Sequence, residues 1–255
     1  MPEGANLQYT PNEIMTIEAA RRLKNGTVCF VGIGMPSAAA NLARLTHAPE
    51  VVLIYESGTI GAHPEKVPLS IGDGEIAETA DVVVSVPEIF NYWLQAGRIE
   101  VGFLGAAQID RHANINTTVI GDYDHPQVRL PGAGGAPEIA SSAQEVIIVL
   151  RHSLRAFVDK LDFTTTPGHL ADGGSRSELG LSGAGPSLVI TDLGLLEPDP
   201  ERNELVLTSL NPGVDLAEVQ AHTGWDLQVR SPLPVTPTPT AEELATLRRL
   251  QASKA

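Results

Sequence analysis

A carboxylate stands at the end of an apolar run, with small residues immediately after it. Residues 51–54 are Val-Val-Leu-Ile, and Tyr55 and Glu56 follow them. Three of these four apolar residues are β-branched, which is typical of a buried strand in a parallel sheet. We therefore expect Glu56 at the carboxyl end of a strand, where ligands bind in open α/β sheets. Ser57 and Gly58 would let a substrate approach the carboxylate closely, although position alone favours a solvated acid where a strand meets a loop.

A glycine cluster is the second candidate for chemistry. Residues 131–137 read Pro-Gly-Ala-Gly-Gly-Ala-Pro, between an expected strand and a short helix over 138–143. Such a bend exposes backbone N–H groups that can hold an oxyanion, and the candidates belong to Gly134, Gly135 and Ala136. A flexible linker is the alternative, but linkers are rarely so short or set between a strand and a helix. A carboxylate and an amide cradle together suit covalent catalysis on an acyl group.

A third glycine-bearing turn lies nearer the N-terminus. Gly32 and Gly34 lie in a turn over 32–36 that leads from the end of an expected strand over 27–33 into an expected helix over about 37–45. A turn of this kind can bind an anion at the amino end of the helix. It lacks the third glycine of a dinucleotide-binding fingerprint, so a Rossmann cofactor site is a weak interpretation.

Other chemistries find less support in the sequence. The seven histidines are scattered, and no cluster has the spacing of metal ligands, so we expect no metal. Ser57 does not stand in the Gly-x-Ser-x-Gly turn of a serine hydrolase. His63 is a candidate acid–base group, but a loop histidine is more often an ordinary surface residue. Cys29, the single cysteine, lies in a strand-like run and is expected to be a small core residue.

Composition bounds the class of protein. The chain has 255 residues, 42% of them apolar, which suffices for one large α/β domain with a sizeable core. The net charge of −14 argues against nucleic acid as a partner, because phosphate binding needs clustered Lys and Arg. No apolar run approaches the ~20 residues of a membrane span, and no signal peptide is expected. One cysteine permits no disulfide framework within the chain, so a cytoplasmic location is the default.

Hydrophobic periodicity and turn residues predict alternating helices and strands. Capping boxes at Thr10 and Thr240 open the first and last helices. A helix is expected after Pro87, and we interpret its aromatic residues as core, with a subunit interface as the alternative. We further expect strands over 81–86, 100–106, 145–150, 187–192 and 204–208, irregular strands over 151–163, a turn over 197–200, a helix near 216–223, and loops over 58–80 and 164–186.

These elements predict an α/β fold in one domain over residues 1–255. Its core, over about 11–150, would be a mostly parallel sheet flanked by helices. An irregular, β-containing extension would follow over about 151–255.

Five fragments, in order, resemble the β subunit of class I coenzyme A transferases, closest to the glutaconate and 3-oxoadipate type. The turn at Gly32 is similar to the family's Gly-Ile-Gly-x-Pro, and the stretch at Glu56 to its catalytic Glu-x-Gly motif. Residues 130–136 are similar to the family's Gly-x-Gly-Gly-Ala loop. The fragments that resemble the C-terminal signature are 190–193 and 210–214, with 223–224. Each fragment is weak alone, but five in the family's order are strong.

The resemblance implies a CoA-transferase-like fold and a function for each motif. Glu56 would be the catalytic nucleophile and would carry a glutamyl-CoA thioester. CoA would be a substrate, with no further cofactor, and the other substrates would be an acyl-CoA and a small dicarboxylic or 3-oxo acid. The residues implied in oxyanion or substrate binding are Gly134, Gly135, Ala136, Ser57 and Gly58, and those implied in the CoA or substrate loop are Gly32, Gly34 and Gly132.

The family also implies a partner, because its active site lies between two subunits. We expect this chain to be inactive alone and to require an α subunit, in a heterotetramer or larger assembly. Many members carry Ser-Glu-Asn-Gly where this chain has Tyr-Glu-Ser-Gly, so Tyr55 and Ser57 should alter the contacts around the carboxylate. The alternatives are a ring-opening CoA-thioester hydrolase, a non-catalytic subunit and, more remotely, a sugar-phosphate isomerase, all on related folds.

Overall fold

The computed structural model describes residues 8–171 and 174–252, and the chain divides into two compact units. The first unit runs to Val86 and includes the residues from Pro237 onward, and the second is Pro87–Thr236. A single domain with its core over about 11–150 stays a prediction.

Helices and strands alternate along the described chain. The helices are α1 Pro11–Arg21, α2 Met35–Leu45, α3 Gly74–Glu78, α4 Val86–Glu88, α5 Ala136–Ser142, α6 Leu216–Ala221 and α7 Ala241–Ala252, with a π-helix at Ile89–Leu94 and a 3₁₀ helix at Arg176–Leu179. The strands are β1 Val28–Val31, β2 Val52–Tyr55, β3 Thr59–Ile60, β4 Val82–Val83, β5 Val101–Leu104, β6 Gln108–Ile109, β7 Ile115–Asn116, β8 Val119–Gly121, β9 Pro126–Arg129, β10 Glu145–Val149, β11 Pro186–Ile190, β12 Gly194–Pro198, β13 Leu205–Leu210 and β14 Gln228–Val229.

In the first unit a parallel pair of strands continues into a hairpin. β1 and β2 run parallel, with Val31 opposite Tyr55 at the carboxyl ends of both strands. β2 then turns back into β3, with Ile54 opposite Ile60, and β3 pairs antiparallel with β4. Helices α1, α2 and α7 contact one another and bury apolar side chains such as Leu42 and Leu247. The sheet and the three helices thus share the core of this unit.

Two expectations about the segment after Glu56 are wrong. The loop expected over 58–80 contains β3 and α3. The buried strand expected over 81–86 shortens to β4, whose Val82 and Val83 side chains are 49% and 58% exposed. A continuous apolar run predicts burial, but β4 is the last strand of its sheet, so nothing in the described chain covers these valines.

Capping boxes join α1 to α7 in the first unit. Thr10 and Glu13 exchange hydrogen bonds at the start of α1, and Thr240 and Glu243 do the same at the start of α7. Both predicted capping boxes are thereby confirmed. Each capping glutamate also accepts two bonds from an arginine of the other helix. Arg21 donates to Glu243 at 2.7 and 2.8 Å, and Arg248 donates to Glu13 at 2.6 and 3.3 Å.

The second unit is built on a mixed sheet. β10 lies between β5 and β11 and pairs parallel with both. β11, β12 and β13 then form an antiparallel meander, and β14 adds in parallel to β13. Parallel central strands with helices between them confirm the α/β class, and the meander supplies the β content expected near the C-terminus.

Two local expectations fail in the second unit. Residues 151–163 contain none of the strands given above, although Phe157 forms an isolated β-bridge with Ile109. The turn expected over 197–200 begins inside β12, because Gly194–Pro198 pairs with β13. The first miss concerns pairing between distant segments, and the second concerns the register of a hairpin in which Pro198 lies opposite Leu205; local composition reveals neither.

The aromatic segment after Pro87 is a π-helix rather than an α-helix. Its i→i+5 geometry shows in the bond from the Gln95 N–H to the Phe90 carbonyl, at 2.8 Å. Ile89 and Leu94, five residues apart, are therefore buried together. Tyr92 is 62% exposed, so the prediction that all its aromatic side chains are core is wrong.

We predict that Glu243→Gln destabilises the protein by about 1–3 kcal/mol at neutral pH, because it weakens the pair with Arg21 and the cap on Thr240. Burial opposes ionisation here, but the bonds from Arg21 and Thr240 outweigh it and lower the pKa of Glu243. The stabilisation is therefore present above the ordinary carboxyl pKa and fades as pH falls through the lowered value. Urea unfolding at pH 7 and pH 4, with exposed Glu242→Gln as the control, measures both effects. Equal stability of the two variants at pH 7 would contradict the prediction.

Candidate functional site

Glu56 lies at the tip of the hairpin between β2 and β3. The Gly58 N–H donates to the Tyr55 carbonyl at 3.0 Å, so Glu56 and Ser57 are the two central residues of a tight turn. Glu56 is half-buried, and the structure records no hydrogen bond or ion pair to its carboxylate from the described residues. The strand end expected at this position is confirmed, and the main chain places the carboxylate at the end of β2.

Gly58 is required by close packing of the chain against itself. Its φ is +110°, and a Cβ there would lie 2.0 Å from the Val84 carbonyl oxygen. The Gly58 carbonyl also accepts from the Val84 N–H at 2.8 Å. The space that a side chain at position 58 would occupy is therefore filled by the main chain at Val84. That contact explains the glycine without a substrate, so a substrate-binding role for Gly58 rests on the resemblance.

Two hydroxyl groups beside Glu56 are buried without a hydrogen bond. They are Ser57 Oγ and Thr59 Oγ1, and neither has a partner among the described residues. An unsatisfied buried hydroxyl costs roughly 1–3 kcal/mol, so two of them within three residues after one acid are unusual. Ser57 was a candidate from the sequence. Thr59 was missed, because it reads as an ordinary strand residue.

The turn that contains Gly32 and Gly34 lies next to Glu56. It follows β1 as Glu56 follows β2, and Val31 and Tyr55 are in register, so Gly32 and Glu56 leave the sheet side by side. Gly34 has a φ of +88° and precedes the first residue of α2. The structure thus brings the first-unit candidates, namely Gly32, Gly34, Glu56, Ser57 and Gly58, to one edge of the sheet.

The side chain of Tyr55 makes its hydrogen bonds away from the turn. Its side chain is fully buried, and its hydroxyl lies 3.0 Å from Ser37 Oγ and 3.4 Å from Asn41 Nδ2, both on α2. Burial raises the pKa of Tyr55, while the bonds from Ser37 and Asn41 lower it less. The expectation that Tyr55 alters contacts around the carboxylate therefore takes an indirect form, through α2.

The glycine cluster over residues 131–137 leads into α5 in the second unit. Gly132 is held by Thr117, whose main-chain oxygen accepts from the Gly132 N–H at 2.9 Å and whose hydroxyl donates back to the Gly132 carbonyl at 2.8 Å. The Ala136 N–H donates to the Ala133 carbonyl at 3.0 Å, so it is occupied within the turn. Of the three expected donors, this leaves the N–H groups of Gly134 and Gly135, for which the described residues provide no partner.

The C-terminal signature builds a buried cluster around His152, which sequence reasoning missed. Nε2 of His152 lies 2.9 Å from the Thr223 hydroxyl, and Nδ1 lies 3.3 Å from the Thr191 hydroxyl. The ring stacks on Phe157 at 3.7 Å, and Asn211 donates to the Thr191 carbonyl. Burial lowers the pKa of His152 to about 4, opposed by Asp192 and reinforced by His222. These motif residues therefore hold a neutral histidine inside the unit.

Other candidate groups take no visible part in chemistry. Cys29 is buried, and burial raises the pKa of its thiol, as expected of a core cysteine. His63 is exposed. No group of three His, Cys, Asp or Glu in residues 8–171 and 174–252 could hold a metal ion. Within the same ranges, every helix is too short or too polar to cross a membrane.

Comparison with known proteins gives this arrangement a class. The chain belongs to the coenzyme A transferase family, whose model matches residues 12–222. It is 63% identical over 247 residues to the B-type subunit of the 3-oxoadipate CoA-transferase of Pseudomonas knackmussii, covering 97% of this chain and 95% of the relative. It is 39% identical over 227 residues to the B-type subunit of the glutaconate CoA-transferase of Acidaminococcus fermentans, covering 87% of this chain and 85% of the relative.

A solved structure supports the same assignment. The crystal structure of glutaconate coenzyme A-transferase from Acidaminococcus fermentans matches with a TM-score of 0.90 and 33% identity, covering 97% of both chains. The resemblance drawn from the motifs is confirmed, and the chain is a β-type subunit of a CoA-transferase.

We predict that His152 makes the protein sensitive to acid. Its pKa of about 4 in the folded protein lies below the ordinary 6.5, so the folded state resists protonation. Its contribution is complete above pH 6.5, and up to about 3 kcal/mol is lost as pH falls from 6.5 to 4. Unfolding free energies at pH 7.5 and pH 5 should differ less in His152→Gln than in the wild type. His125→Gln, at an exposed histidine of the same unit, should keep the wild-type difference; unchanged pH dependence in His152→Gln would contradict the prediction.

Proposed function

We propose that this chain is the β subunit of an enzyme that moves CoA from an acyl-CoA to a carboxylic acid through a thioester on Glu56. The observation that carries the proposal is the placement of Glu56. It is an acid at the tip of a strand-end hairpin, its carboxylate has no partner in the described chain, and it lies in the stretch that resembles the family's catalytic motif.

The reaction balances without a cofactor other than CoA as substrate. A Glu56 carboxylate oxygen attacks the donor thioester carbonyl, the C–S bond breaks, and an acyl anhydride and CoA thiolate form. The thiolate attacks the glutamyl carbonyl, which gives γ-glutamyl-CoA and releases the donor carboxylate. The acceptor carboxylate then attacks the glutamyl carbonyl and displaces the thiolate, which in turn attacks the new acyl group and frees Glu56. No net proton is consumed or released.

Each acyl-transfer step develops negative charge on a carbonyl oxygen. The resemblance of residues 130–136 to the family's active-site loop supports assigning its stabilisation to the N–H groups of Gly134 and Gly135, which have no partner among the described residues. A carboxylate is a weak nucleophile, so binding energy from the distant part of CoA must help to reach the transition state. Gly32, Gly34 and Gly132 are assigned to the loops that bind CoA or substrate.

The relatives support a proposal for the substrate and the assembly. The P. knackmussii relative is named for 3-oxoadipate, and the identity to it is high over nearly the whole of both chains. We therefore propose 3-oxoadipate as the acceptor acid and an α subunit as the partner, in a heterotetramer or larger complex. We place the enzyme in the cytoplasm, in keeping with its single, buried cysteine.

The test is to trap the thioester on Glu56. The complex with the α subunit is incubated with acyl-CoA, treated with hydroxylamine or borohydride, and measured by intact and peptide mass. We expect a modification on the Glu56 peptide that disappears in Glu56→Gln, with at least about a thousandfold loss of transfer. Glu78→Gln, at an exposed acid in the same unit, should keep both the modification and the activity.

Two outcomes would contradict the proposal. A modification that persists in Glu56→Gln would place the nucleophile elsewhere. No modification, with steady release of free CoA in the absence of an acceptor acid, would identify a thioester hydrolase.

We predict that transferase activity requires both subunits. The purified chain should show no CoA transfer from succinyl-CoA to 3-oxoadipate, and activity should rise with added α subunit until the two are equimolar. Sedimentation of the mixture gives the stoichiometry. Full activity of the chain alone would contradict the proposed assembly.

A further inference from the structure

We propose that Tyr55 is a positioning residue whose hydroxyl, bonded to helix α2, holds Glu56 in the place required for attack on the thioester. This inference rests on the proposed role of Glu56 as the nucleophile. It assigns a function to a side chain that does not itself need to touch the substrate.

Tyr55 is the last residue of the parallel ladder before the turn. Val31 lies opposite it, and beyond this pair the ladder between β1 and β2 ends. The Tyr55 carbonyl accepts the bond that closes the turn, from the Gly58 N–H. Any displacement of Tyr55 is therefore passed directly to Glu56, which is the next residue.

The Tyr55 hydroxyl is tied to α2 at two points. It lies 3.0 Å from Ser37 Oγ and accepts from Asn41 Nδ2 at 3.4 Å. Asn41 Nδ2 also donates to the Ser37 carbonyl at 2.9 Å, so one amide bridges the helix backbone and the phenol. All three side chains are fully buried, so these bonds do not compete with solvent.

The network continues to the far side of the hairpin. The Asn41 side-chain oxygen accepts from Arg44 Nε and Nη2 at 3.3 and 3.2 Å. Arg44 Nη2 also donates to the Pro64 carbonyl at 2.6 Å, in the segment that follows β3. Helix α2 is thereby bonded on both sides of the hairpin: to Tyr55, which precedes Glu56, and to Pro64, which follows β3.

The same helix is joined directly to the turn that contains Gly32 and Gly34, because α2 begins immediately after Gly34. The network therefore fixes Glu56 relative to Gly32 and Gly34 as well as to the sheet. Displacement of a reacting group by about 1 Å can cost a hundredfold in rate, so such fixation has a measurable value.

Packing alone does not require the phenol. Phe at position 55 would have nearly the same volume and would avoid burying a hydroxyl, which is costly unless it is bonded. Ser37 and Asn41 likewise place polar groups in an otherwise apolar layer of α2 that includes Ala39 and Ala40. Three buried polar side chains that satisfy one another beneath a catalytic turn indicate positioning.

The experiment compares Tyr55→Phe with a matched loss of a buried hydroxyl pair elsewhere. The control is Thr236→Val, which removes the 2.8 Å bond between Thr236 and Ser209 in the second unit. Both variants are studied in complex with the α subunit. The measurements are thermal midpoint, KM for acyl-CoA, and the single-turnover rate at which Glu56 becomes modified.

We expect both variants to lose roughly 2–4 °C in midpoint, as one buried hydrogen bond would predict. Tyr55→Phe should also lower the single-turnover rate by about ten- to a hundredfold, with KM unchanged within about twofold. Thr236→Val should keep the wild-type rate. A wild-type rate in Tyr55→Phe would overturn the inference and leave Tyr55 a structural residue.

Ser37→Ala provides a second, independent variant. If the network acts as a unit, Ser37→Ala should reproduce much of the rate loss, and the double variant should lose little more than Tyr55→Phe alone. If the rate loss of the double variant equals the product of the two single-variant losses, the inference is overturned. Failure of the proposed function is distinguished by the wild-type enzyme itself: if it forms no thioester on Glu56, the proposed mechanism fails, whereas normal thioester formation in both wild type and Tyr55→Phe refutes only the positioning role.

Discussion

The parallel register of β1 and β2 is the constraint on which the candidate site depends. Because Val31 lies opposite Tyr55, β1 and β2 end at the same level of the sheet. The turn that contains Gly32 and Gly34 and the acid Glu56 therefore lie at the same edge. A slip of one residue would exchange the two faces of β2 and take the Tyr55 hydroxyl away from α2. Leu53 and Ile54, which point to opposite faces of β2, are both fully buried, so a slip would also disturb close packing on both faces of the strand, and the core thereby fixes the position of the acid.

The turn after Glu56 is closed by backbone bonds, and the hydroxyl groups that follow the acid in sequence have no partner in the described chain. The Gly58 carbonyl and N–H are both bonded, and the Val84 carbonyl occupies the place of a side chain. The hydroxyls of Ser57 and Thr59 have no partner in the described chain. The turn is therefore fixed by main-chain contacts, while two of its neighbouring hydroxyl groups keep unused hydrogen-bonding capacity.

Motifs that look functional in the sequence divide into two kinds in the structure. The glycine turn and the Glu56 stretch meet at a sheet edge, where chemistry can occur. The C-terminal signature instead encloses neutral His152 between the hydroxyls of Thr191 and Thr223, a buried cluster that stabilises its unit. A motif shared within a family can therefore preserve packing as readily as catalysis.

The sequence by itself determined the α/β class, the capping boxes at Thr10 and Thr240, and Glu56 at a strand end, because these depend on local periodicity and on contacts within three or four residues. It also supplied the family, through short motifs in order. Only the tertiary structure decided that Val82 and Val83 lie exposed on a last strand and that Tyr55 reaches Ser37 and Asn41. Those facts depend on which distant segments meet, and the pattern of residues along the chain carries no direct record of that pairing.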